Sequence, residues 1–268
     1  MEYPFYLIDA FVADTDPPNQ FSGNPAGVCL LPETKSADWM QAVAAEINQA
    51  ETAFLVPQAP GVWQLRWFTP KVEVSLCGHA TLAAAQAIWQ HQSDAASTLA
   101  FDTLSGRLTA SREGELIHLD FPADKPLAAE VPAALQQGLG YPPVWYGKGR
   151  DDELLVLGSA RAVREFQADD ALIASFTRRG LIVTAPGDQP EVDMVSRFFA
   201  PKAGISEDSV TGAAHCVLAV YWGERLGKTR LRAFQASART GLLDLEWRGE
   251  RVRLGGRAKT QLAGVLYD

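Results

Sequence analysis

Four side chains in this sequence have the types and placing to move a proton. Cys77 and Asp208 each stand six residues after a lysine and shortly before a run of small, apolar residues. Glu51 opens the segment Glu51-Thr52-Ala53-Phe54-Leu55-Val56, where a helical pattern gives way to a strand pattern. Burial of a carboxylate at such a junction, among apolar neighbours, would raise its pKa and suit it to act as a general acid or base. Glu46, one turn earlier in the helical pattern, belongs on an exposed face. His79 follows Gly78 directly after Cys77. Each of these residues also has a plain structural explanation: a buried small thiol at Cys77, a helix cap at Asp208 and tight packing at Gly78.

The placing of Cys77 and Asp208 follows from a duplication. Arg66-Trp67-Phe68-Thr69-Pro70-Lys71 is echoed by Arg197-Phe198-Phe199-Ala200-Pro201-Lys202, and Ser75 by Ser206 at the same offset. Each stretch then enters a small-residue segment, Gly78–Ala85 or Thr211–Leu218. Gly78–Trp89 and Thr211–Trp222 are apolar almost all round, the signature of a buried helix. A helix N-terminus carries free N–H groups and a partial positive charge, so it suits a carboxylate or phosphate. Gly78 and Gly212 let a ligand approach the backbone closely. Two related halves facing one another would bring both helix starts, Cys77 and Asp208 into one cleft.

The remaining elements frame these helices. Strands are expected at Phe5–Phe11 and Gly27–Leu31, flanking a turn at Asn24-Pro25. A helix is expected over Asp38–Gln49, then strands at Thr52–Val56 and Gln64–Phe68. Strands at Thr98–Thr109 and Glu115–Phe121 are joined by Glu113-Gly114. A proline-rich passage with a short helix at Ala133–Leu139 follows. The second half has a strand at Glu153–Leu157, a helix at Ala162–Arg178, strands at Leu181–Thr184 and Met194–Phe199, and more strands after the second apolar helix. The expected architecture is α+β: two pseudo-symmetric lobes, each a curved, mostly antiparallel sheet or open barrel wrapped around a central apolar helix. The lobes are 1–124 and 125–268, with a strand near 257–268 packing back on the first.

Composition bounds the function. The 268 residues carry a net charge of −8, with 47% hydrophobic and 21% charged residues, an ordinary globular balance. Excess negative charge disfavours nucleic acid or an anionic membrane as partner. Met1-Glu2-Tyr3-Pro4 is unlike a secretory leader, and no apolar run reaches bilayer length, so a cytoplasmic protein is expected. Cys29, Cys77 and Cys216 are an odd number without metal-type spacing, and His79, His91, His118 and His215 lack it too. No phosphate-binding glycine loop is present. Neither a metal nor another cofactor is expected, and the partner should be a small anionic metabolite, with a homodimer as the candidate assembly.

Five ordered motifs carry a family resemblance. Phe21-Ser22-Gly23-Asn24-Pro25-Ala26-Gly27-Val28, Glu51-Thr52-Ala53-Phe54, Arg66-Trp67-Phe68-Thr69-Pro70, Leu76-Cys77-Gly78-His79-Ala80-Thr81 and Glu207-Asp208-Ser209-Val210-Thr211-Gly212-Ala213-Ala214-His215 resemble the phenazine-biosynthesis PhzF-like family, of the diaminopimelate-epimerase-like fold. The resemblance spans essentially the whole chain. It implies cofactor-independent proton transfer on a small carboxylated biosynthetic intermediate, with Glu51 as acid/base and His79 and Asp208 lining the same site. Gly78, Gly212, Ala213, Cys77 and Asn24 would contact the substrate. Ala213 replaces a serine common in the family, and Ser209 a common proline. Cys77 stands where epimerases of this fold carry a catalytic thiol, but the paired position is Asp208, against a two-cysteine mechanism. The expectation is therefore an isomerase. The alternatives are an epimerase or racemase using Cys77 with Asp208 or Glu51, and a small-molecule binder that has kept the fold without catalysis.

Overall fold

The computed structural model describes residues 1–13, 21–92, 95–138 and 140–268. In chain order the first half runs β1 (Glu2–Ala10), β2 (Asn24–Leu30), α1 (Ala37–Ile47), β3 (Glu51–Ala59), β4 (Val62–Phe68), β5 (Glu73–Val74), α2 (Gly78–His91), β6 (Thr98–Thr103), β7 (Gly106–Glu113) and β8 (Leu116–Pro122). The second runs β9 (Leu127–Ala128), α3 (Ala133–Gly138), β10 (Trp145–Lys148), β11 (Asp152–Val156), α4 (Ala160–Glu165), α5 (Asp170–Phe176), β12 (Gly180–Pro186), β13 (Met194–Phe199), a 3₁₀ turn at Pro201–Ala203, α6 (Gly212–Leu226), β14 (Arg230–Gln235), β15 (Gly241–Arg248), β16 (Arg251–Gly256) and β17 (Ala258–Tyr267). Two compact units result. Among the described residues, one comprises Met1–Val12, 21–92, 95–120 and Gly255–Asp268; the other comprises Ala13, 121–138 and 140–254.

Within the first unit β1 pairs antiparallel with β17 and β2, β2 parallel with β3, β3 antiparallel with β4, β4 parallel with β6, and β6 antiparallel with β7. A parallel pair needs a crossover. Helix α1 makes the one between β2 and β3, and α2 the one between β4 and β6. The second unit runs through the same series: β10 antiparallel with β11, β11 parallel with β12, β12 antiparallel with β13, β13 parallel with β14, and β14 antiparallel with β15. There α4 and α5 make the first crossover and α6 the second. The fold is thus a mixed α/β one, largely antiparallel with parallel pairs at the crossovers.

The two kinds of crossover helix differ in sequence because they differ in burial. Helix α1 is amphipathic; Met40 and Ala44 pack with Phe54, Val56, Cys29 and Phe68 on one face of the sheet. Successive strand residues point to opposite faces, so Glu51, Ala53 and Leu55 point the other way, where α2 packs on β1, β2 and β3. In α2 every residue from His79 to Ala85 is buried, as are Ala87, Ile88 and Trp89. In α6 burial runs unbroken from Ala214 to Gly223. None of the helices among the described residues is long and apolar enough to cross a membrane.

Several expected boundaries are corrected. The region expected as one helix over Ala162–Arg178 is two short helices. Phe166 turns into the core beside Phe199, and Asp169 caps a new helix by accepting from Leu172 N at 2.9 Å. The strand expected over Thr98–Thr109 is a hairpin. Thr103 and Gly106 pair across its turn, and Gly106 sits at φ +96°, where a side chain is strained. The turn expected at Asn24-Pro25 lies earlier. Gly23, at φ +83°, makes the bend, and both Asn24 and Pro25 are already in β2, paired with Ala10 and Asp9. Leu139, expected in α3, lies outside the described residues.

Candidate active site

The first unit brings together Asn24, Glu51, Cys77, Gly78 and His79, residues spread over 56 positions of sequence. Asn24 is the first residue of β2 and Glu51 the first of β3. The parallel register pairs Ala26 with Glu51, which sets these two strand starts side by side on the α2 face. Cys77 is the N-cap of α2 and His79 lies in its first turn. His79 is the hub. Its Nδ1 is 3.2 Å from Asn24 Nδ2 and 3.6 Å from Cys77 Sγ, and its Nε2 is 3.2 Å from Glu51 Oε2.

Burial decides the charge of this hub. His79 is 5% exposed, and desolvation pushes its pKa down to about 3. The imidazole is therefore neutral near neutrality, and its contact with Glu51 is not an ion pair. Nor does the contact count as a hydrogen bond: among the described residues Nε2 has no hydrogen-bond partner. Glu51 is nearly enclosed, with 13% of its side chain exposed. Glu46 is exposed, as expected.

Asp208, Thr211, Gly212, Ala213 and His215 form a second group in the other unit. The N-cap of α6 is Thr211, not Asp208. Asp208 Oδ2 instead accepts from Thr211 Oγ1 at 2.6 Å. Gln235 ties this turn down: its Oε1 accepts from Thr211 N at 2.9 Å and its Nε2 donates to the Asp208 carbonyl at 2.8 Å. By position in the helix Thr211 therefore matches Cys77, and Ala213 matches His79. Thr81 Oγ1 donates to the Cys77 carbonyl at 2.5 Å, and His215 Nδ1 lies 2.7 Å from the Thr211 carbonyl, four residues back in both cases. The sequence offset that paired Cys77 with Asp208 slips by three residues after the Phe68/Phe199 strands, across the segment holding the 3₁₀ turn.

The helix starts themselves differ from the others in one respect. Helices α1, α4 and α5 are capped by Ser36, Ser159 and Asp169 side chains. Neither Cys77 nor Thr211 places a side-chain acceptor on its own helix. An N-terminus without such a cap retains donors for an anionic ligand. One group among the described residues also has cation-type donors together: one atom each from Glu51, Cys77 and His79 lie within 4.8 Å of one another. Sequence spacing could not reveal it, because Glu51 comes from β3 while Cys77 and His79 come from the start of α2.

Two contacts outside the expected site repeat between the units. Arg66 makes a two-pronged ion pair with Glu73, at 2.7 and 2.8 Å, and lies over the Phe68 ring. Arg197 does the same with Glu207, at 2.7 and 2.9 Å, over the Phe199 ring. These arginines and phenylalanines are the repeated residues of the sequence. Their acidic partners were missed because the offset slips between them.

Known proteins place the chain. The profile of the phenazine biosynthesis-like protein family, PhzC-PhzF, matches residues 8–264. The chain is 44% identical over 268 residues to a Halalkalibacterium halodurans protein named as an uncharacterized isomerase, with 99% of each covered. It is 39% identical to the human phenazine biosynthesis-like domain-containing protein, again over 99% of each. The crystal structure of an Enterococcus faecalis PhzF-family protein superposes with a TM-score of 0.94 at 40% identity, covering both chains fully. At 9% identity a hydroxyproline epimerase of Agrobacterium vitis shares the fold with a TM-score of 0.60, over 99% of this chain and 92% of that one. The chain belongs to the phenazine biosynthesis-like, PhzC-PhzF, family.

Proposed function

We propose that this protein is a cofactor-independent isomerase that moves a proton on a small carboxylated metabolite, with Glu51 as the acid/base. The observation that carries the reading is the setting of Glu51: an almost enclosed carboxylate, 3.2 Å from a neutral imidazole, beside an α2 start that its own N-cap leaves uncapped. A carboxylate in such a place accepts a proton from a carbon next to a carbonyl or carboxylate and returns it to another carbon. Backbone N–H groups around Gly78 and His79 suit the anionic group of a substrate. Relatives named as isomerases agree with this class of reaction. Asp208, held by Thr211, is the second acid/base candidate, with Gly212 and Ala213 beside it as substrate contacts. The repeated series of strand pairings and the paired Arg–Glu–Phe contacts support descent of the two units from one duplicated half.

The test is incubation of unsaturated carboxylic acids and amino acids in deuterated water, followed by NMR. Deuterium incorporated with a shifted double bond, lost in Glu51→Gln, supports the reading. Full turnover by Glu51→Gln overturns it. Cys77 Sγ beside His79 Nδ1 at an α-helix start favours a second reading, an epimerase with Cys77 as one of its acid/base pair. Inversion of an α-carbon, abolished in Cys77→Ala, would select it.

A further inference from the structure

We propose that Asn24 is a positioning residue that fixes His79 as its Nε2–H tautomer, so that Nε2 presents a neutral hydrogen-bond donor to the oxyanion formed on the substrate; the donor role rests on the proton-transfer reading above. Two contacts lead to the same tautomer. Asn24 is 1% exposed, and its amide nitrogen, which can only donate, lies 3.2 Å from Nδ1. Nδ1 must then offer its lone pair, and the one proton of a neutral imidazole goes to Nε2. The Cys77 thiol, 3.6 Å from the same nitrogen, is a second and weaker donor to it. On the other side Nε2 is 3.2 Å from a Glu51 oxygen. A bare Nε2 lone pair against a carboxylate in a water-poor site is repulsive, whereas an N–H there is attractive. Glu51 therefore selects the tautomer that Asn24 selects.

The result is a buried donor without a hydrogen-bond partner among the described residues. Buried donors are ordinarily paired, and the place for this one's partner is the substrate. When a carboxylate oxygen of Glu51 takes a proton from a carbon, the C–H electron pair moves into the adjacent C=O and leaves an enolate oxygen. Nε2–H hydrogen-bonds that oxygen and keeps its own proton. Glu51 then gives its proton to the far carbon of a C=C already present in the substrate; that C=C supplies the pair that binds the proton, the enolate C=C shifts to the next bond, and the oxygen pair re-forms the C=O. The depressed pKa of His79 supports this assignment, since the ring stays neutral throughout. The substrate class that fits is an unsaturated carbon acid, in which the carbon that loses its proton lies between a C=C and a carbonyl or carboxylate. His79 is then a donor rather than a proton relay.

The experiment is two-bond ¹⁵N–¹H correlation NMR of histidine-labelled protein at neutral pH, with His79 assigned by its loss in His79→Gln. In the wild type, protonated Nε2 and bare Nδ1 are expected; a protonated Nδ1 overturns the proposal. Asn24→Asp places an acceptor on Nδ1 and should transfer the proton to it. Cys77→Ala leaves Asn24 as the donor and should keep the Nε2–H tautomer. A switch in Cys77→Ala would assign the lock to the thiol and overturn the role of Asn24, even if Asn24→Asp fails to fold. Oxalate, a planar dianion resembling an enolate, should move the Nε2–H resonance downfield and bind at least tenfold more weakly to Asn24→Asp. An unmoved Nε2–H resonance at the oxalate solubility limit overturns the donor role. The tautomer is read without turnover, so its failure is distinct from failure of the isomerase reading.

Discussion

Lowering the pH from 7 to 5 should cost the folded chain about 4 kcal/mol through two buried imidazoles. Burial pushes His79 down to about 3, and it pushes His215 down to about 4 against a smaller opposing effect of the Thr211 carbonyl. Both groups titrate near 6.5 when unfolded. Between 6.5 and these lower values the unfolded chain binds protons that the folded chain does not, so stability falls as pH falls. Each pH unit of that window is worth about 1.4 kcal/mol per histidine. From pH 7 to pH 5 each group then loses about 2 kcal/mol. Buried Asp152 and Glu153 act in the opposite sense, because burial raises their pKa values and the folded state takes up protons first. Their effect is common to wild type and variants and cancels in the difference. The assay is urea unfolding followed by tryptophan fluorescence at both pH values, for wild type, His79→Gln and His215→Gln. Each substitution should remove about 2 kcal/mol of the pH-dependent loss, whatever it does to stability at pH 7. If His215→Gln loses as much as wild type over this range, the imidazole is not buried neutral and the reasoning fails.

Three other outcomes are expected. Glu51→Gln should fold normally, being nearly isosteric, yet lower turnover roughly 100- to 10,000-fold once a substrate is found; retained turnover would remove Glu51 from the chemistry. Cys77, buried at 8% exposure, should alkylate slowly at neutral pH by intact mass, and Cys77→Ala should cost little activity. Rapid labelling blocked by substrate, with an inactive variant, would favour the epimerase reading instead. Gly23→Ala should lower stability by about 1–3 kcal/mol in urea unfolding, because φ is +83° and the new Cβ would lie 2.5 Å from the Ala10 carbonyl oxygen. A loss below about 0.5 kcal/mol would show that the bend readily adjusts.

Local signals in the sequence determined what local physics controls. The all-apolar runs of α2 and α6 announced buried helices, because a helix with no polar side has no face to give to water. The repeated Arg-x-Phe and Pro-Lys residues recur at matching strand ends in the two units, and the Gly114 turn lies where glycine signalled it. Helix and strand ends were less legible. Nothing in Ala162–Arg178 breaks a helix by type; the break comes from Phe166 turning into the core and from Asp169 capping afresh. The site needed the tertiary structure. Asn24, Glu51 and His79 meet only because β2 and β3 run parallel in one register and α2 starts beside them. Thr211, not Asp208, opens α6, because the segment before it is three residues longer than its counterpart before α2. And a histidine's sequence cannot say whether it is charged. His79 is neutral because the fold has removed the water that would solvate its cation.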